Sequence, residues 1–89
     1  MKIKEGFILR QCAGTEIVVP LGANMQTHKN MMITLSGSAR LLWDALVVGC
    51  EEEALVDAIL AEYDIDRETA SRDVHLFVEK LRQAALLDE

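Results

Sequence analysis

Residues 31–43 read MMITLSGSARLLW, and the spacing of their apolar residues changes part-way along. The first five residues are a β-prone run, in which alternate side chains point to opposite faces of a strand. From Ala39 onward, apolar residues recur three and four positions apart, as they do on one face of an α-helix. The Ser-Gly-Ser segment at residues 36–38 separates the two patterns and offers side chains that commonly cap a helix. We therefore expect the chain to change from strands to helices at this point.

Two further β-prone runs precede this junction. FILRQC at residues 7–12 and TEIVV at residues 15–19 are joined by Ala13-Gly14, a short glycine-containing connection that favours a β-hairpin. Residues 22–30 are polar and irregular and are expected to form a loop. Residues 1–35 are therefore predicted to form a three-stranded antiparallel meander.

Three helical patterns follow the junction. The first ends at Gly49, the second begins with the glutamates at 51–53, and the third covers about residues 67–85. Asp66 is the predicted N-cap of the third helix. Leu86-Leu87 should then fold back onto the core.

The predicted fold class is α+β, with the content of a winged helix-turn-helix in an unusual order. A three-stranded antiparallel sheet at residues 1–35 is followed by a three-helix bundle at residues 36–89. The 89 residues are enough for one domain and leave no room for a second.

The composition narrows the classes of function. The chain is 51% hydrophobic and 27% charged, as expected of a folded soluble protein, and its net charge is -6. An acidic chain is a poor partner for nucleic acid or an anionic membrane surface, because both are bound largely through cations. No signal peptide and no membrane-spanning stretch are visible, so a cytoplasmic location is expected.

Charge is unevenly distributed between the two halves. Residues 1–50 carry five basic and three acidic residues, whereas residues 51–89 carry four basic and twelve acidic ones. The acidic half is consistent with helices made soluble by carboxylates. A sharper interpretation is that the strand half offers a mildly positive surface to an acidic partner segment.

The sequence offers no pattern typical of a catalytic or metal site. Cys12 and Cys50 are far apart, and together with His28 and His75 they lack the paired spacing of zinc ligands. There is no GxGxxG or P-loop pattern, and the serines at 36, 38 and 71 lie in helix-cap or surface-helix contexts, so a hydrolase is not indicated. We therefore expect a protein that is not an enzyme and has no cofactor or metal, which leaves a binding module.

The run at residues 31–35 would be the last strand of the meander and would present an open edge. In one interpretation its side chains only fill the core and its boundary. In the other, the strand edge and the third helix flank a groove, and an extended peptide adds as a fourth strand beside the backbone around Ile33. The basic bias of residues 1–50 would favour a peptide with acidic residues. The same edge could instead pair with a second copy in a homodimer.

Short segments along nearly the whole chain follow one family pattern. The strand half contains KEGFILR at 4–10, VVP at 18–20 and MITL at 32–35, and SGSARLLW follows at 36–43. The helical half contains EEALV at 52–56, AEYDID at 61–66, DV at 73–74, FV at 77–78, Leu81 and ALL at 85–87. In this order and spacing they resemble the PqqD-like proteins, which are peptide chaperones also called RiPP recognition elements.

The resemblance implies a specific role. Members bind the leader of a ribosomally made precursor peptide by β-strand addition and present the peptide to a modifying enzyme, often a radical SAM protein. In PqqD itself the product is the cofactor pyrroloquinoline quinone (PQQ), but many peptide pathways use this module, so PQQ biosynthesis does not follow from the resemblance alone.

Carried over by position, the resemblance also implies which residues bind the peptide. The strand would contribute Asn30, Met31, Met32, Ile33 and Thr34. The third helix would contribute Thr69, Arg72, Asp73, Leu76, Phe77 and Lys80.

Two other functions stay open at this point. The first is a winged-helix DNA-binding regulator, which would need a basic recognition helix. The third helix has four basic and three acidic residues, so it is expected to bind DNA phosphates weakly. The second is a structural subunit that contacts a larger enzyme without holding a peptide.

Overall fold

A computed structural model of the chain describes residues 1–22, 33–35 and 37–88. Most of the predicted 22–30 loop, together with Met31, Met32 and Ser36, lies outside the described residues. The elements in chain order are β1 (Lys2–Ile3), β2 (Phe7–Cys12), β3 (Thr15–Pro20), β4 (Ile33–Leu35), α1 (Ser38–Val48), α2 (Glu52–Glu62), α3 (Arg67–Gln83) and β5 (Leu87–Asp88).

The main sheet has the strand order β2-β3-β4, and both pairings are antiparallel. β2 and β3 are joined by a two-residue turn in which Ala13 has φ 52° and Gly14 has φ 83°. Positive φ at both central residues is the signature of a type I′ turn, whose twist matches that of the flanking strands. Three helices follow this sheet, so the predicted α+β fold class is confirmed.

A second, two-stranded sheet was not predicted. β1 pairs with β5 in an antiparallel manner, with Ile3 opposite Leu87. The Lys4 N–H donates to the Leu86 carbonyl over 2.8 Å, and the Cys50 N–H donates to the Met1 carbonyl over 2.9 Å. Leu86 and Leu87 are both buried, which confirms that the residues after α3 fold back onto the core.

The core is one cluster that draws on both sheets and all three helices. Its buried side chains are those of Ile3, Val18, Ile33, Leu35, Leu42, Trp43, Leu46, Leu55, Val56, Ile59, Ala70, Val74, Val78, Leu81, Leu86 and Leu87. Val47 continues the apolar helical spacing that begins at Ala39, yet it is 49% exposed. None of the helices in the described segments is long and apolar enough to cross a membrane.

The helix boundaries follow the predicted signals with one exception. Gly49 ends α1 with φ 108°, and its N–H donates to the Ala45 carbonyl. The first residue before α1 is Gly37, which has no side chain to cap the helix, and Ser38 lies inside the helix. The segment at residues 36–38 was expected to supply a capping side chain, but the N-cap is Gly37, whose φ of 57° favours glycine, and no side chain of the described residues caps α1.

Two leucines of α3 test the division between core and surface. Leu81 is fully buried, whereas Leu76 is 62% exposed on the opposite side of the helix. Leu81→Ala should lower the free energy of unfolding by about 2–5 kcal/mol, because it removes buried methyl groups and leaves a cavity. Leu76→Ala is the matched control and should change it by no more than about 0.5 kcal/mol. Urea unfolding followed by circular dichroism measures both, and equal losses would contradict this packing.

Candidate functional site

A groove of about 350 Å³ opens between the three helices. We call it the interhelical groove. Its lining residues are Ser38, Ala39 and Leu42 of α1, Ile59 and Tyr63 of α2, Ile65 of the following connection, and Asp73 and Phe77 of α3. Most of this lining is apolar, with two hydroxyl groups and one carboxylate. Concave apolar surfaces with a few polar groups are typical of ligand-binding sites.

The six residues predicted on the third helix all lie on α3. Their spacing of three and four positions places them on one side of the helix, away from the buried stripe of Ala70, Val74, Val78 and Leu81. Asp73 and Phe77 line the interhelical groove. Thr69, Arg72, Leu76 and Lys80 do not line it but continue the same side of α3 along its length.

Among the described residues, the edge of β4 offers unpaired backbone groups. In a two-residue hairpin the residues flanking the turn exchange both hydrogen bonds, so Cys12 and Thr15 form a hydrogen-bonded pair. Such pairs alternate along antiparallel strands, which makes Arg10–Ile17 the next hydrogen-bonded pair and turns the Ile17 N–H and C=O toward β2.

The alternation continues into β4. Because Ile17 faces β2, its neighbours on β3 face β4, and they pair with Leu35 and Ile33. Thr34 lies opposite Ile17, so its own N–H and C=O point away from β3. No described residue hydrogen-bonds to these two groups. The available backbone is therefore that of Thr34 and not that of Ile33, whose N–H and C=O are used by β3.

The open edge and the groove are close in the chain. Ser38 begins α1 and lines the groove only three residues after Leu35, which corresponds to at most about 11 Å of chain. The described groove nevertheless has α1 opposite α3, and neither Ile33 nor Thr34 lines it. Asn30, Met31 and Met32, the other predicted strand residues, lie outside the described residues.

Of the eight residues that line the groove, sequence reasoning had named only Asp73 and Phe77 as site residues. Ala39, Leu42, Ile59 and Tyr63 were predicted only as core positions of α1 and α2, and Ile65 only as part of a turn. The one available signal was the aromatic Tyr63 at the end of an apolar stripe, where it is 42% exposed. Their meeting with α3 depends on how the helices cross, which periodicity does not give.

Arg40 holds α1 against the sheet. Its guanidinium is hydrogen-bonded to Glu16 of β3, and its Nε donates to Asp44 Oδ1 over 3.0 Å. The hydrogen bond to Asp44 is the main reason that the pKa of Arg40 is raised. The contact fixes the α1 wall of the groove relative to β3. The charge of Arg40 is therefore paired with carboxylates of the protein itself.

Polar contacts at two places connect α3 to α2. Arg67 and Asp57 form an ion pair of 2.6 Å, and His75 Nδ1 lies 3.6 Å from Glu52 Oε1.

Asp66 caps α3 as predicted, since its Oδ1 accepts from the Thr69 N–H over 3.0 Å. Hydrogen bonds from Thr69, and more weakly the charge of Arg72, hold the pKa of Asp66 below its usual value.

The described residues contain no group of three or more histidine, cysteine or carboxylate side chains that could hold a metal ion. Cys50 is a half-buried free thiol whose pKa is raised by burial. His28 and the side chain of Cys12 lie outside the described part of the chain.

The family model of coenzyme PQQ synthesis protein D (PqqD) matches residues 22–87. The chain belongs to the PqqD family. The family assignment predicted from the sequence segments is thereby confirmed, although the segments at 4–10 and 18–20 lie before the matched region.

Two solved structures share the PqqD-family fold of this chain. One is TbiB1 in complex with the TbiA(beta) leader peptide, with a TM-score of 0.74 and 29% sequence identity over 99% of this chain and 95% of the other. The second is a lasso peptide synthetase B1 complexed with the leader peptide, with a TM-score of 0.73 over 96% of this chain and 93% of the other. At 16% identity the second shows the fold alone. Comparison with curated protein sequences gives no match.

The Asp66 cap makes the stability of α3 depend on pH. Its folded-state pKa is lowered, so its contribution is present above the unfolded pKa of about 3.9 and is lost as pH falls through the folded value. Asp66→Ala should lower the urea midpoint at pH 7, and the difference from wild type should shrink toward pH 3.

Two variants control this measurement. Asp66→Ser keeps a capping oxygen and should retain most of the neutral-pH stability. Asp64→Ala removes a nearby carboxylate outside the cap and should leave the pH dependence unchanged. A wild-type advantage that stays constant from pH 7 to pH 3 would contradict the role of the Asp66 carboxylate.

Proposed function

We propose that this protein is a peptide chaperone that binds the leader of a ribosomally made precursor peptide and presents it to a modifying enzyme. The observation that carries the proposal is the outward-facing N–H and C=O of Thr34 at the β4 edge, in a fold that also has an apolar interhelical groove. Membership of the PqqD family and the similarity to TbiB1, which was solved with a leader peptide, support it.

Binding would proceed by strand addition. A leader in extended conformation would pair its backbone with Thr34 and become the fourth strand of the main sheet. Its alternate side chains would then point either to the inner side, toward α3 and the groove, or to the outer side, in line with Thr34, Ile17 and Arg10. The backbone bonds would supply sequence-independent affinity, and the inner side chains would supply selectivity.

The exposed side of α3 suits a peptide better than a nucleic acid. Leu76 is 62% exposed, and Phe77 is half-buried at the groove. Two of the four cations on α3 are already paired, Arg67 with Asp57 and Arg82 with Glu79. Apolar surface with few available cations favours peptide contact and disfavours phosphate binding.

The protein itself is proposed to have no catalytic activity. The interhelical groove offers one carboxylate and two hydroxyls, and His75, the one histidine of the described segments, lies beside Glu52 at the other end of α2. The covalent change would then belong to a partner enzyme, for which a radical SAM protein remains our prediction. A cytoplasmic location, and a homodimer through the β4 edge that competes with peptide, also remain predictions.

Unbiased peptide selection tests the function. A display library of random peptides is panned against the full chain, and the enriched peptides are added to an isotope-labelled sample for NMR. We expect chemical-shift changes at Ile33, Thr34, Leu76 and Phe77, together with new protection of the Thr34 amide from hydrogen exchange. Peptides that shift only residues remote from β4 and α3, or a library that yields no binder, would contradict the proposal.

A single backbone group gives a sharper test. Thr34→Pro removes the outward N–H and fills its place with the proline ring, while leaving the hydrogen bonds between β3 and β4 in place. It should weaken a selected peptide by about tenfold or more, because a hydrogen bond is lost and the guest backbone is pushed away. Thr34→Val keeps the N–H and the side-chain shape, and its affinity should match wild type.

Fluorescence anisotropy with a labelled peptide gives the dissociation constants. Circular dichroism of the free variants checks that the sheet is retained. Equal affinity for Thr34→Pro and Thr34→Val, with both variants folded, would show that the peptide does not pair with this edge.

A further inference from the structure

The interhelical groove contains one charged side chain, that of Asp73. Several carboxylates elsewhere have a partner: Asp44 and Glu16 bind Arg40, Asp57 binds Arg67, and Asp66 caps α3. Within the described segments, Asp73 makes no ion pair and no hydrogen bond through its side chain. An unpaired carboxylate in an apolar groove is free to meet a positive group on a guest.

The surroundings of Asp73 reinforce its negative charge. α2 ends next to the groove at Tyr63, and its last turn contains no basic residue, so the negative end of its dipole is not offset. Asp64 and Asp66 follow directly along the chain. Arg72, the cation adjacent in sequence, forms no ion pair with Asp73 within the described segments. Lys80 lies seven residues away on α3, which is about 10 Å along the helix axis.

The charge of the groove favours a basic group on the guest, in contrast to the acidic guest expected from the sequence. That expectation rested on the basic bias of residues 1–50, yet Arg40 is satisfied by Glu16 and Asp44. Lys2 lies near Gly49, at the opposite end of α1 from the groove. Arg10 lies on the outer side of the sheet, in register with Ile17. None of these three cations lines the groove.

The remaining walls suit a long side chain with a planar cation at its end. Ala39, Leu42 and Ile59 provide an apolar surface for a methylene stem, and Tyr63 and Phe77 provide aromatic rings. A guanidinium binds a carboxylate through two parallel hydrogen bonds and also stacks on aromatic rings, which an ammonium does less well. Aromatic residues beside a single carboxylate therefore favour arginine over lysine.

We infer that the interhelical groove receives an arginine side chain of the guest peptide, with Asp73 as the specificity-determining residue. This inference rests on the proposed peptide-binding function. The arginine would come from an inner-side position of the guest strand, near the Leu35 end of β4, because α1 leads from that end into the groove.

The test uses the peptides selected on the wild-type chain. We expect the groove-binding peptides to share an arginine at one aligned position. Replacing it with norleucine, which keeps the stem and removes the charge, should weaken binding by about fivefold, and glutamate should weaken it further. The peptide with lysine at this position should bind with an affinity between those of the arginine and norleucine peptides. The losses should be smaller at high salt, where charge interactions are screened.

Variants of the protein assign the effect to one carboxylate. Asp73→Asn should bind the arginine and norleucine peptides with nearly equal affinity, and Asp73→Arg should prefer the glutamate peptide. Glu53→Arg makes the same change of charge in the first turn of α2, at the far end of that helix from Tyr63, and should keep the wild-type order. Circular dichroism checks that each variant is folded.

The outcomes distinguish a failure of the role of Asp73 from a failure of the peptide-chaperone function. Peptides that shift Phe77 in NMR spectra but carry an apolar residue at the aligned position, or that lose nothing on replacement of arginine by norleucine, would overturn the role of Asp73 and leave the chaperone function intact. A failure to obtain any peptide that binds beside β4 and α3 would overturn the chaperone function itself.

Discussion

The one-sided pairing of β4 is the constraint on which the peptide site depends. β4 has three residues, and antiparallel alternation commits the backbone groups of two of them, Ile33 and Leu35, to β3. The same alternation buries the side chains of these two residues in the core and leaves Thr34 exposed. Thr34 therefore turns its backbone to the open edge and its side chain to the outer side. A strand anchored in this way can pair with a further strand while it keeps its hydrogen bonds to β3.

One side of α3 is buried in the core, and another side lies at the surface of the protein. Ala70, Val74, Val78 and Leu81 are fully buried and join the helix to the rest of the core, so its position is fixed before any guest arrives. The side that carries Asp73 and Phe77 is then held facing α1 across the groove. The contacts of Arg40 with β3 fix the opposite wall. Such prior ordering lowers the entropy that a flexible peptide must overcome when it binds.

Local signals in the sequence were sufficient for the order and type of the main elements. The change from alternating to helical spacing near residue 38, the Ala13-Gly14 turn, Gly49 and the Asp66 cap all act within a few residues, so they can be recognised without knowledge of the fold. The side of α3 that faces away from the core was also predictable, because helical periodicity fixes it. The pairing of β1 with β5 was not, since two-residue strands carry no period and their partner lies at the other end of the chain.

The sequence by itself determined the three strands of the main sheet, the three helices and most of the buried stripe of each helix, while the candidate residues on α3 came from the family resemblance and remain a prediction. Only the tertiary structure decided that Thr34 and not Ile33 presents open backbone groups, because hydrogen-bond alternation is set by the register between strands. It also brought Leu42, Tyr63 and Asp73 together around one groove, because the crossing of three helices joins positions that are distant in the chain. The net charge can be counted from the whole sequence. The charge that the groove offers to a guest, however, depends on which charged side chains already have partners within the fold.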